Sequence, residues 1–202
     1  MKQLLIIGAS GHGKVVADIA KKGEYEGILF FDDNENLKEC GGYPVAGKIS
    51  YFRDYEGDVF VAIGDASIRQ RIMEEIELAG RQIPTLIHPD TVIAEDVMIG
   101  YGTVVVAGAI INPGTEIGKG CIINTASSVD HDCVIGDYVH ISVGSHLAGM
   151  VCVGERTWIG AGAVVSNNLK VCSDCMIGAG AVVIDDIKER GTYIGVPVKR
   201  MV

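Results

Sequence analysis

The chain has 202 residues, of which 48% are hydrophobic but only 6% aromatic, and its formal net charge at pH 7 is −9. Because an acidic surface repels the phosphate backbone, this charge argues against a nucleic-acid partner. The sequence contains no basic leader and no apolar run of membrane-spanning length, so we expect no membrane insertion. It changes from irregular to periodic near Ile87, which predicts two domains, residues 1–86 and residues 87–202.

The chain begins with an alternation of apolar and helical stretches. Residues 1–8 predict a buried strand, a glycine-rich turn follows over residues 8–13, and residues 14–22 predict a helix. Residues 27–31 predict a second strand. Because strand, glycine-rich turn, helix and strand make a βαβ unit, residues 1–86 are predicted to form an α/β, Rossmann-like domain.

The glycine-rich turn and the acids after the second strand are the candidate substrate site of this domain. The turn presents backbone N–H groups at a helix N-terminus, where a phosphate binds, and a carboxylate follows where a ribose hydroxyl would lie. The glycine spacing is not the G-x-G-x-x-G fingerprint, so a dehydrogenase is not indicated, and a turn that needs glycine for geometry alone is the alternative. We expect substrate contacts from the following residues: Gly8, Ser10, Gly11, His12, Gly13, Asp32, Asp33 and Gly64.

The remainder of this domain predicts another strand–helix–strand pattern. Residues 58–63 predict a third strand, and a helix follows from Ser67 as its N-cap and stops at Gly80. Residues 82–87 predict a further strand. We therefore expect an open parallel sheet of three or four strands.

Residues 87–188 repeat every six residues through seventeen hexads without an insertion. Neither the helical period of about 3.6 nor the strand period of about 2 explains this repeat. The fifth place of the hexad is small or apolar, so a narrow core with tight corners is expected. The repeat predicts a β-helix, in which like residues stack from coil to coil. The first place is always a branched aliphatic: Ile87, Ile93, Ile99, Val105, Ile111, Ile117, Ile123, Val129, Ile135, Ile141, Leu147, Val153, Ile159, Val165, Val171, Ile177 and Val183.

The six cysteines are best interpreted as small core thiols. Cys172 and Cys175 are the only close pair, and Cys121, Cys133 and Cys175 occupy the fifth place of their hexads. Zinc sites need more ligands at recognisable spacing, whereas free cysteine behaves as a small hydrophobe. We expect no metal, reduced thiols and therefore a cytoplasmic location.

Together these motifs resemble the sialic acid O-acetyltransferase and nucleotide-aminosugar N-acetyltransferase family, the NeuD/PglD-like hexapeptide-repeat acyltransferases. The resemblance implies a left-handed parallel β-helix with three hexads in each coil. It also implies a homotrimer with active sites between subunits, and acetyl-CoA as co-substrate in the groove between neighbouring helices. The likeness covers nearly the whole chain, through residues 8–13, 32–33, 62–64, 87–89, 124–125, 131–137, 140–144, 148–149 and 194–200.

The resemblance makes His131 the catalytic base and adds Asp132 as its partner. Acetyl transfer from a thioester needs a base for the nucleophile's proton and a donor for the oxyanion. A carboxylate next to the histidine orients the ring and raises its basicity. Since adjacent strand residues point to opposite faces, this pairing requires both residues to lie at a bend. The corresponding acid of the family is commonly Glu, and the shorter Asp leaves the distance open.

The same resemblance assigns the acetyl-CoA contacts. Gly149 lies 18 residues after His131, so its N–H is the expected oxyanion donor as well as a cofactor contact. Lys199 and Arg200 either meet the CoA phosphates or belong to a solvated tail. The expected cofactor-binding residues are His140, Gly149, Ala161 and Ala179.

The leading hypothesis is an acetyl-CoA-dependent N-acetyltransferase that acts on a nucleotide-linked amino sugar, of the UDP-4-amino-dideoxy-sugar type, in bacterial glycan biosynthesis. The alternative acceptor is sialic acid or another glycan precursor, acetylated on oxygen, because the same base serves both reactions. Two hypotheses come from other classes: a carbonic anhydrase with zinc on His131, His140 and His146, and a non-catalytic scaffold. Metal analysis tests the first of these, and acetyl-CoA binding tests the second.

Overall fold

The computed structural model describes residues 2–201, and the outermost residues of the two predicted domains, Met1 and Val202, lie outside the described residues. The chain divides into two compact units, with the division between Pro89 and Asp90. Among residues 2–201, no helix has the length and apolarity that a membrane span requires.

The first unit contains a mixed sheet, two α-helices and one 3-10 helix. Its elements are β1 (Gln3–Ile7), α1 (Gly11–Lys22), β2 (Gly27–Phe31), β3 (Glu39–Cys40), β4 (Tyr43–Gly47), a 3-10 helix (Ile49–Asp54), β5 (Asp58–Val61), α2 (Ala66–Leu78) and β6 (Leu86–Ile87). The strand order in the sheet is β3-β4-β2-β1-β5. Strands β1, β2, β4 and β5 are parallel, and β3 is antiparallel to β4. Residues 4–7 of β1 are fully buried, as expected for a central parallel strand. The predicted α/β, Rossmann-like class is confirmed.

The edge of this sheet differs from the sequence prediction. Of residues 82–87, only β6 is a strand, and it is not part of this sheet. The fourth parallel strand is β4, which contains Pro44 and is absent from the strands that the sequence predicts. Pro44 lies near the start of β4, before Val45 and Gly47, which are the residues that pair with β2.

Helix α2 begins earlier than the sequence suggested. Its N-cap is Asp65, whose carboxylate accepts a hydrogen bond from the Ile68 N–H at 2.8 Å, and not Ser67. A carboxylate at this position satisfies one of the N–H groups that the first helical turn leaves without a partner.

The second unit consists of short strands at six-residue intervals. They are β7 (Val92–Ile93), β8 (Met98–Ile99), β9 (Val104–Val105), β10 (Ile110–Ile111), β11 (Glu116–Ile117), β12 (Ile122–Ile123), β13 (Ser128–Val129), β14 (Val134–Ile135), β15 (His140–Ile141), β16 (His146–Leu147), β17 (Cys152–Val153), β18 (Trp158–Ile159), β19 (Val164–Val165), β20 (Lys170–Val171), β21 (Cys175–Ile177), β22 (Val182–Val183), β23 (Gly191–Ile194) and β24 (Lys199–Arg200).

These strands stack into three faces. The first face runs from β7 through β10, β13, β16 and β19 to β22; the second runs from β8 through β11, β14 and β17 to β20. The third runs from β9 through β12, β15, β18 and β21 to β23, where β24 joins antiparallel. Stacked residues are 18 apart in sequence, as in the pairs Ile111 with Val129 and Ile135 with Val153. One coil therefore holds three hexads, and the predicted parallel β-helix is confirmed.

The core of the β-helix is made by the first and fifth places of the hexads. Every first-place aliphatic from Val105 to Val183 is at most 4% exposed. The three earlier ones differ: Ile87 is 43% exposed, and Ile93 and Ile99 are partly buried. Burial of the aliphatic positions supplies the main stabilising free energy of such a prism.

The corners are formed by the fourth place of the hexad, which is left-handed at every repeat from Gly102 to Gly180. Seven of these residues are not glycine: Ala126, Asp132, Tyr138, Met150, Arg156, Asn168 and Asp174. The sequence predicted tight corners, but this fourth-place rule was missed.

Candidate active site

His131 and Asp132 form a hydrogen-bonded pair at the corner between β13 and β14. The Nδ1 atom of His131 lies 2.8 Å from Oδ2 of Asp132, and both side chains are about half exposed. The shorter acid of this sequence therefore reaches the ring. The pair stands on the outside of the β-helix, where a substrate can approach.

The backbone conformation of Asp132 explains how two adjacent residues point the same way. Its φ is 56°, so the alternation of an extended strand is broken between His131 and Asp132. Asp is among the residues that tolerate this conformation. The condition that both residues lie at a bend is met.

Two glycines in neighbouring coils leave space for the pair. A Cβ on Gly149 would lie 2.5 Å from Nε2 of His131, and a Cβ on Gly114 would lie 2.5 Å from Oδ1 of Asp132. Both distances are far shorter than any normal contact. The ring of His131 therefore lies directly against the backbone of Gly149, one coil above it.

The hydrogen bonds of His131 assign different roles to its two nitrogens. The bond with Asp132 raises the pKa of His131, and the nearby charge of Asp130 acts in the same direction. In the neutral ring Nδ1–H donates to Asp132, so Nε2 carries the lone pair. Nε2 is the nitrogen that faces Gly149, and it is the atom able to accept a proton from a substrate.

Gly149 is suitably placed for a donor beside His131. Its carbonyl accepts a hydrogen bond from Asn168, whereas no residue in the described part of the chain accepts one from its N–H. The expected oxyanion donor is thus next to the expected base.

His140 lies on the third face, away from the corner that carries His131. Asn124 donates from Nδ2 to Nε2 of His140 at 3.2 Å, and its Oδ1 accepts from the Thr125 N–H at 2.8 Å. The second bond fixes the amide orientation, so Nδ2 of Asn124 faces Nε2 of His140. The ring stacks on Trp158, one coil above, with 4.9 Å between centroids.

The small residues expected at the cofactor groove form an exposed column. Ala161 and Ala179 are both exposed and lie one coil apart at the corner between the third and first faces. The first face is therefore bordered by the His131 corner on one side and by this column on the other. Lys199 is exposed, while the guanidinium of Arg200 is engaged with Glu189 at 2.5 Å.

The glycine-rich turn of the first unit is tightly packed at two of its three glycines. A Cβ on Gly13 would lie 2.3 Å from the Gly8 carbonyl, and one on Gly8 would lie 2.9 Å from the Ala62 carbonyl; Gly11 has open space around it. The N-cap Ser10 makes no side-chain capping bond. Geometry thus explains Gly8 and Gly13, whereas Gly11 is left next to open space at a helix N-terminus.

The other expected substrate residues organise the loops around this turn. Asp32 accepts hydrogen bonds from the N–H groups of Ala9 and Asn34, and Asp33 accepts one from Ile49. The carbonyl of Gly64 accepts a hydrogen bond from Arg69.

His12 is the most perturbed histidine of the first unit. Burial, reinforced by the charge of Arg69, lowers the pKa of His12 to about 4. The ring is therefore neutral at pH 7, and its Nε2 is buried without a hydrogen-bond partner.

The three histidines of the zinc hypothesis are not gathered around one point. His131 pairs with Asp132 at a corner, His140 lies on the third face, and His146 on the first face pairs with Ser128 at 2.8 Å. Across residues 2–201 no group of three or more His, Cys, Asp or Glu side chains is arranged to hold a metal ion. The arrangement gives no support to a carbonic anhydrase.

Comparison with known proteins assigns the family. Residues 3–76 match the PglD N-terminal domain. GDP-perosamine N-acetyltransferase of Escherichia coli O157:H7 is 32% identical over 166 residues, which cover 77% of this chain and 74% of that protein. The chain belongs to the nucleotide-aminosugar N-acetyltransferase family.

Two further members of this N-acetyltransferase family are similar to the chain. UDP-N-acetylbacillosamine N-acetyltransferase of Bacillus subtilis (strain 168) is 36% identical over 111 residues, which cover 51% of this chain, so the match spans half (50%) of that relative's length. The acetyltransferase domain of PglB from Neisseria gonorrhoeae FA1090 in complex with acetyl coenzyme A has a TM-score of 0.95 and 40% identity, with 99% of both chains covered.

Sequence reasoning missed several neighbours of the expected site residues of this acetyltransferase. Trp158 was not singled out, although it is the single tryptophan and lies one 18-residue coil after His140. No role was predicted for Asp130, which accepts the backbone N–H of His131, or for Asn112, which donates to Asp130. The 18-residue spacing between Asn112 and Asp130 was the signal that would have linked them.

Proposed function

We propose that the protein transfers the acetyl group of acetyl-CoA to the amino group of a nucleotide-linked amino sugar. The observation that carries this proposal is the His131–Asp132 pair, whose Nε2 atom faces the Gly149 backbone on the outside of the β-helix. The names of the relatives and the acetyl coenzyme A complex of the N. gonorrhoeae domain support the same reaction.

In this proposal His131 acts as general base. Its Nε2 accepts a proton from the acceptor amine while the amine nitrogen attacks the thioester carbonyl and forms the C–N bond. The Gly149 N–H donates to the oxyanion that develops on the carbonyl oxygen. The C–S bond then breaks, the imidazolium returns its proton to the departing sulfur, and CoA leaves as a thiol with His131 neutral again.

Asp132 stabilises the charge that His131 gains during this step. The carboxylate holds Nδ1–H, so the lone pair stays on Nε2, and it favours the imidazolium electrostatically. A raised pKa makes the ring a stronger base, and it also means that the enzyme loses activity as the pH falls through that pKa.

We assign acceptor recognition to the first domain, over residues 1–86. The N–H groups at the start of α1, the open space at Gly11 and the neutral, buried ring of His12 support a diphosphate-linked sugar there. The relatives are named for a UDP-linked and a GDP-linked amino sugar. A UDP-4-amino-dideoxy-sugar in bacterial glycan biosynthesis is the acceptor that we favour.

We assign acetyl-CoA binding and catalysis to residues 87–202, with the pantetheine arm lying along the column of Ala161 and Ala179. His140 is also assigned to this groove, although it lies on the third face. In a homotrimer His140 can still contribute to the groove, because a groove between subunits joins the first face of one subunit to the third face of the next. The exposed Val92, Ile110 and Val164 side chains of the first face support burial against another subunit.

The free thiols support a cytoplasmic location for this reaction.

The function is tested by following CoA release with acetyl-CoA and a panel of UDP- and GDP-linked amino sugars and free sialic acids. We expect turnover with an aminosugar nucleotide. His131→Ala should lower kcat by at least about a hundredfold, because the proton acceptor is lost, while acetyl-CoA binding by calorimetry is retained. Near-normal turnover in that variant would remove His131 from the mechanism, and turnover with sialic acid alone would point to O-acetylation.

A further inference from the structure

Asp130, the residue before His131, makes two hydrogen bonds through a single carboxylate oxygen. Its Oδ1 accepts from the backbone N–H of His131 at 2.8 Å and from the side-chain amide of Asn112 at 2.7 Å. Asn112 lies 18 residues earlier, and the strands before the two residues are in register. The base of the proposed reaction is thus connected to the coil below it through Asp130.

These contacts fix the backbone of His131, which the hydrogen bond between its ring and Asp132 does not hold. Asp132 holds the ring at Nδ1, whereas Asp130 holds the backbone N–H from which the side chain projects. Because the direction of the Cα–Cβ bond follows from the backbone, both anchors are needed to keep Nε2 beside Gly149. Small displacements of a reacting group lower rates steeply.

A comparison within the same β-helix shows that the geometry does not require a charge. At the corner after β12, the neutral side chain of Asn124 accepts the N–H of the next residue, Thr125, at 2.8 Å. An amide therefore makes the same local turn. At the His131 corner the equivalent acceptor is a carboxylate, and its negative charge is the feature that differs.

The charge of Asp130 acts on the imidazole. The hydrogen bond from Asn112, followed by that from the His131 N–H, lowers the pKa of Asp130, so the carboxylate stays ionised. Together with Asp132 it raises the pKa of His131. The coil below presents Asn112, Pro113 and Gly114 to this corner, and the coil above presents Ala148 and Gly149; all of these are uncharged.

We propose that Asp130 and Asn112 are positioning residues for the catalytic base, with Asp130 fixing the backbone of His131 and favouring its protonated form. This inference rests on the proposed function, because the imidazolium in question forms when His131 accepts the proton of the acceptor amine. Asn112 keeps the carboxylate of Asp130 in place, so the coil below the site contributes to the chemistry above it.

Asp130→Asn separates the charge from the geometry. Because one oxygen of Asp130 accepts both bonds, the oxygen of an asparagine retains them, and only the negative charge is lost. The pKa of His131 should fall, so the acidic limb of the kcat profile should move to lower pH. The plateau value of kcat should fall by roughly tenfold, because His131 is then a weaker base. The KM of acetyl-CoA should not change.

The matched control is Asp137→Asn, which makes the same change at another corner. Asp137 is also half-buried, and its Oδ1 accepts a backbone N–H one coil away, from Lys119 at 2.9 Å. This variant should leave the pH profile and kcat unchanged.

Two alanine variants test the hydrogen bonds themselves. Asp130→Ala should lower kcat more than Asp130→Asn does, and Asn112→Ala should lower kcat moderately. Neither variant should alter the KM of acetyl-CoA.

The pKa of His131 is also measured directly by NMR titration of the histidine ring protons, with His131→Ala for assignment. This readout needs no turnover, so it distinguishes failure of this inference from failure of the proposed function. An unchanged His131 pKa in Asp130→Asn overturns the electrostatic role. If Asp130→Ala keeps kcat within twofold of the wild type, the positioning role is overturned. If the wild type transfers no acetyl group, the proposed function fails, and the NMR titration alone decides whether Asp130 acts on His131.

Discussion

The backbone at Asp132 is the residue-level feature that makes a dyad out of two neighbouring side chains. A left-handed φ costs a non-glycine residue roughly 1 kcal/mol or more, and here it lies next to the expected base. In a strand, His131 and Asp132 would have faced opposite sides. Strain at this corner is therefore compensated by the rest of the β-helix and used to bring the carboxylate to Nδ1.

Gly149→Ala tests whether the space above His131 matters for activity. The new methyl group would lie 2.5 Å from Nε2, so the ring must move away from its position. We expect kcat to fall by about a hundredfold, because the base and the oxyanion donor no longer face the same point. Steady-state kinetics measure the effect, and circular dichroism checks that the fold is retained.

Gly27→Ala is the control for that substitution. Its Cβ would lie 3.6 Å from the Gln3 side chain, an ordinary contact, and the position is remote from the dyad in sequence. Full activity of Gly149→Ala would contradict the close packing of the ring against Gly149.

For single residues, the sequence predicted which side chains belong to the candidate site better than it predicted their contacts. The resemblance pointed to His131 and Asp132, and their pairing required both residues to lie at a bend. The orientation of Nε2 toward Gly149, the role of Asp130 and the stack of Trp158 on His140 depend on side-chain torsions and coil-to-coil stacking. Neither is encoded in a local pattern of residue types.

Among the elements of the β-helix, hydrogen bonding inside the core was not foreseen. The fifth-place threonines Thr103, Thr115 and Thr157 are fully buried, and each donates to a carbonyl 15 residues later. Each also accepts the N–H of a cysteine one coil above. The fifth place of the hexad, which the sequence showed only to be small or apolar, therefore includes hydroxyl groups that form hydrogen bonds with buried backbone groups.

Thr157→Val removes one of these hydroxyls without a change of shape. The Cys175 N–H and the Cys172 carbonyl would each lose a partner, so we expect the free energy of unfolding to fall by about 1–3 kcal/mol. Urea denaturation measures the change. Thr157→Ser keeps the hydroxyl and should lose clearly less, and equal losses in the two variants would show that the hydroxyl is not the cause.

The cap of α2 gives a second prediction for an element. Asp65→Ala should lower the free energy of unfolding by about 1 kcal/mol, because the Ile68 N–H loses its acceptor. Asp65→Asn, which keeps a side-chain oxygen, should cost much less. The same series at Ser67 should have little effect, and a larger loss at Ser67 than at Asp65 would contradict the observed helix start.

The missed elements of the first unit have a common physical cause. Strand β4 contains Pro44 and follows two glycines, and both residue types usually mark a loop. Its pairing with β2 is a long-range interaction that overrides these local preferences. Residues 82–87, in contrast, have strand-like composition but find no place in that sheet.

On the scale of the whole molecule, the proposed homotrimer predicts the mass in solution. Sedimentation velocity should give a mass about three times the chain mass of 21.4 kDa. Val92→Lys and Ile110→Lys place charges on the exposed first face and should weaken association, whereas a lysine at the still more exposed Leu78, on α2, should not. A monomeric wild type would remove the site between subunits from the proposal.

The strict 18-residue register has a consequence for how such a molecule can change length. Deleting a single hexad before His131 would move every later side chain onto the adjoining face of the β-helix, so His131 would leave the corner that it now occupies. Removing a complete turn would only lower the later residues by one step along the axis. A β-helix of this kind therefore changes length only in steps of 18 residues, and tolerated insertions and deletions within its strands and corners comprise whole coils.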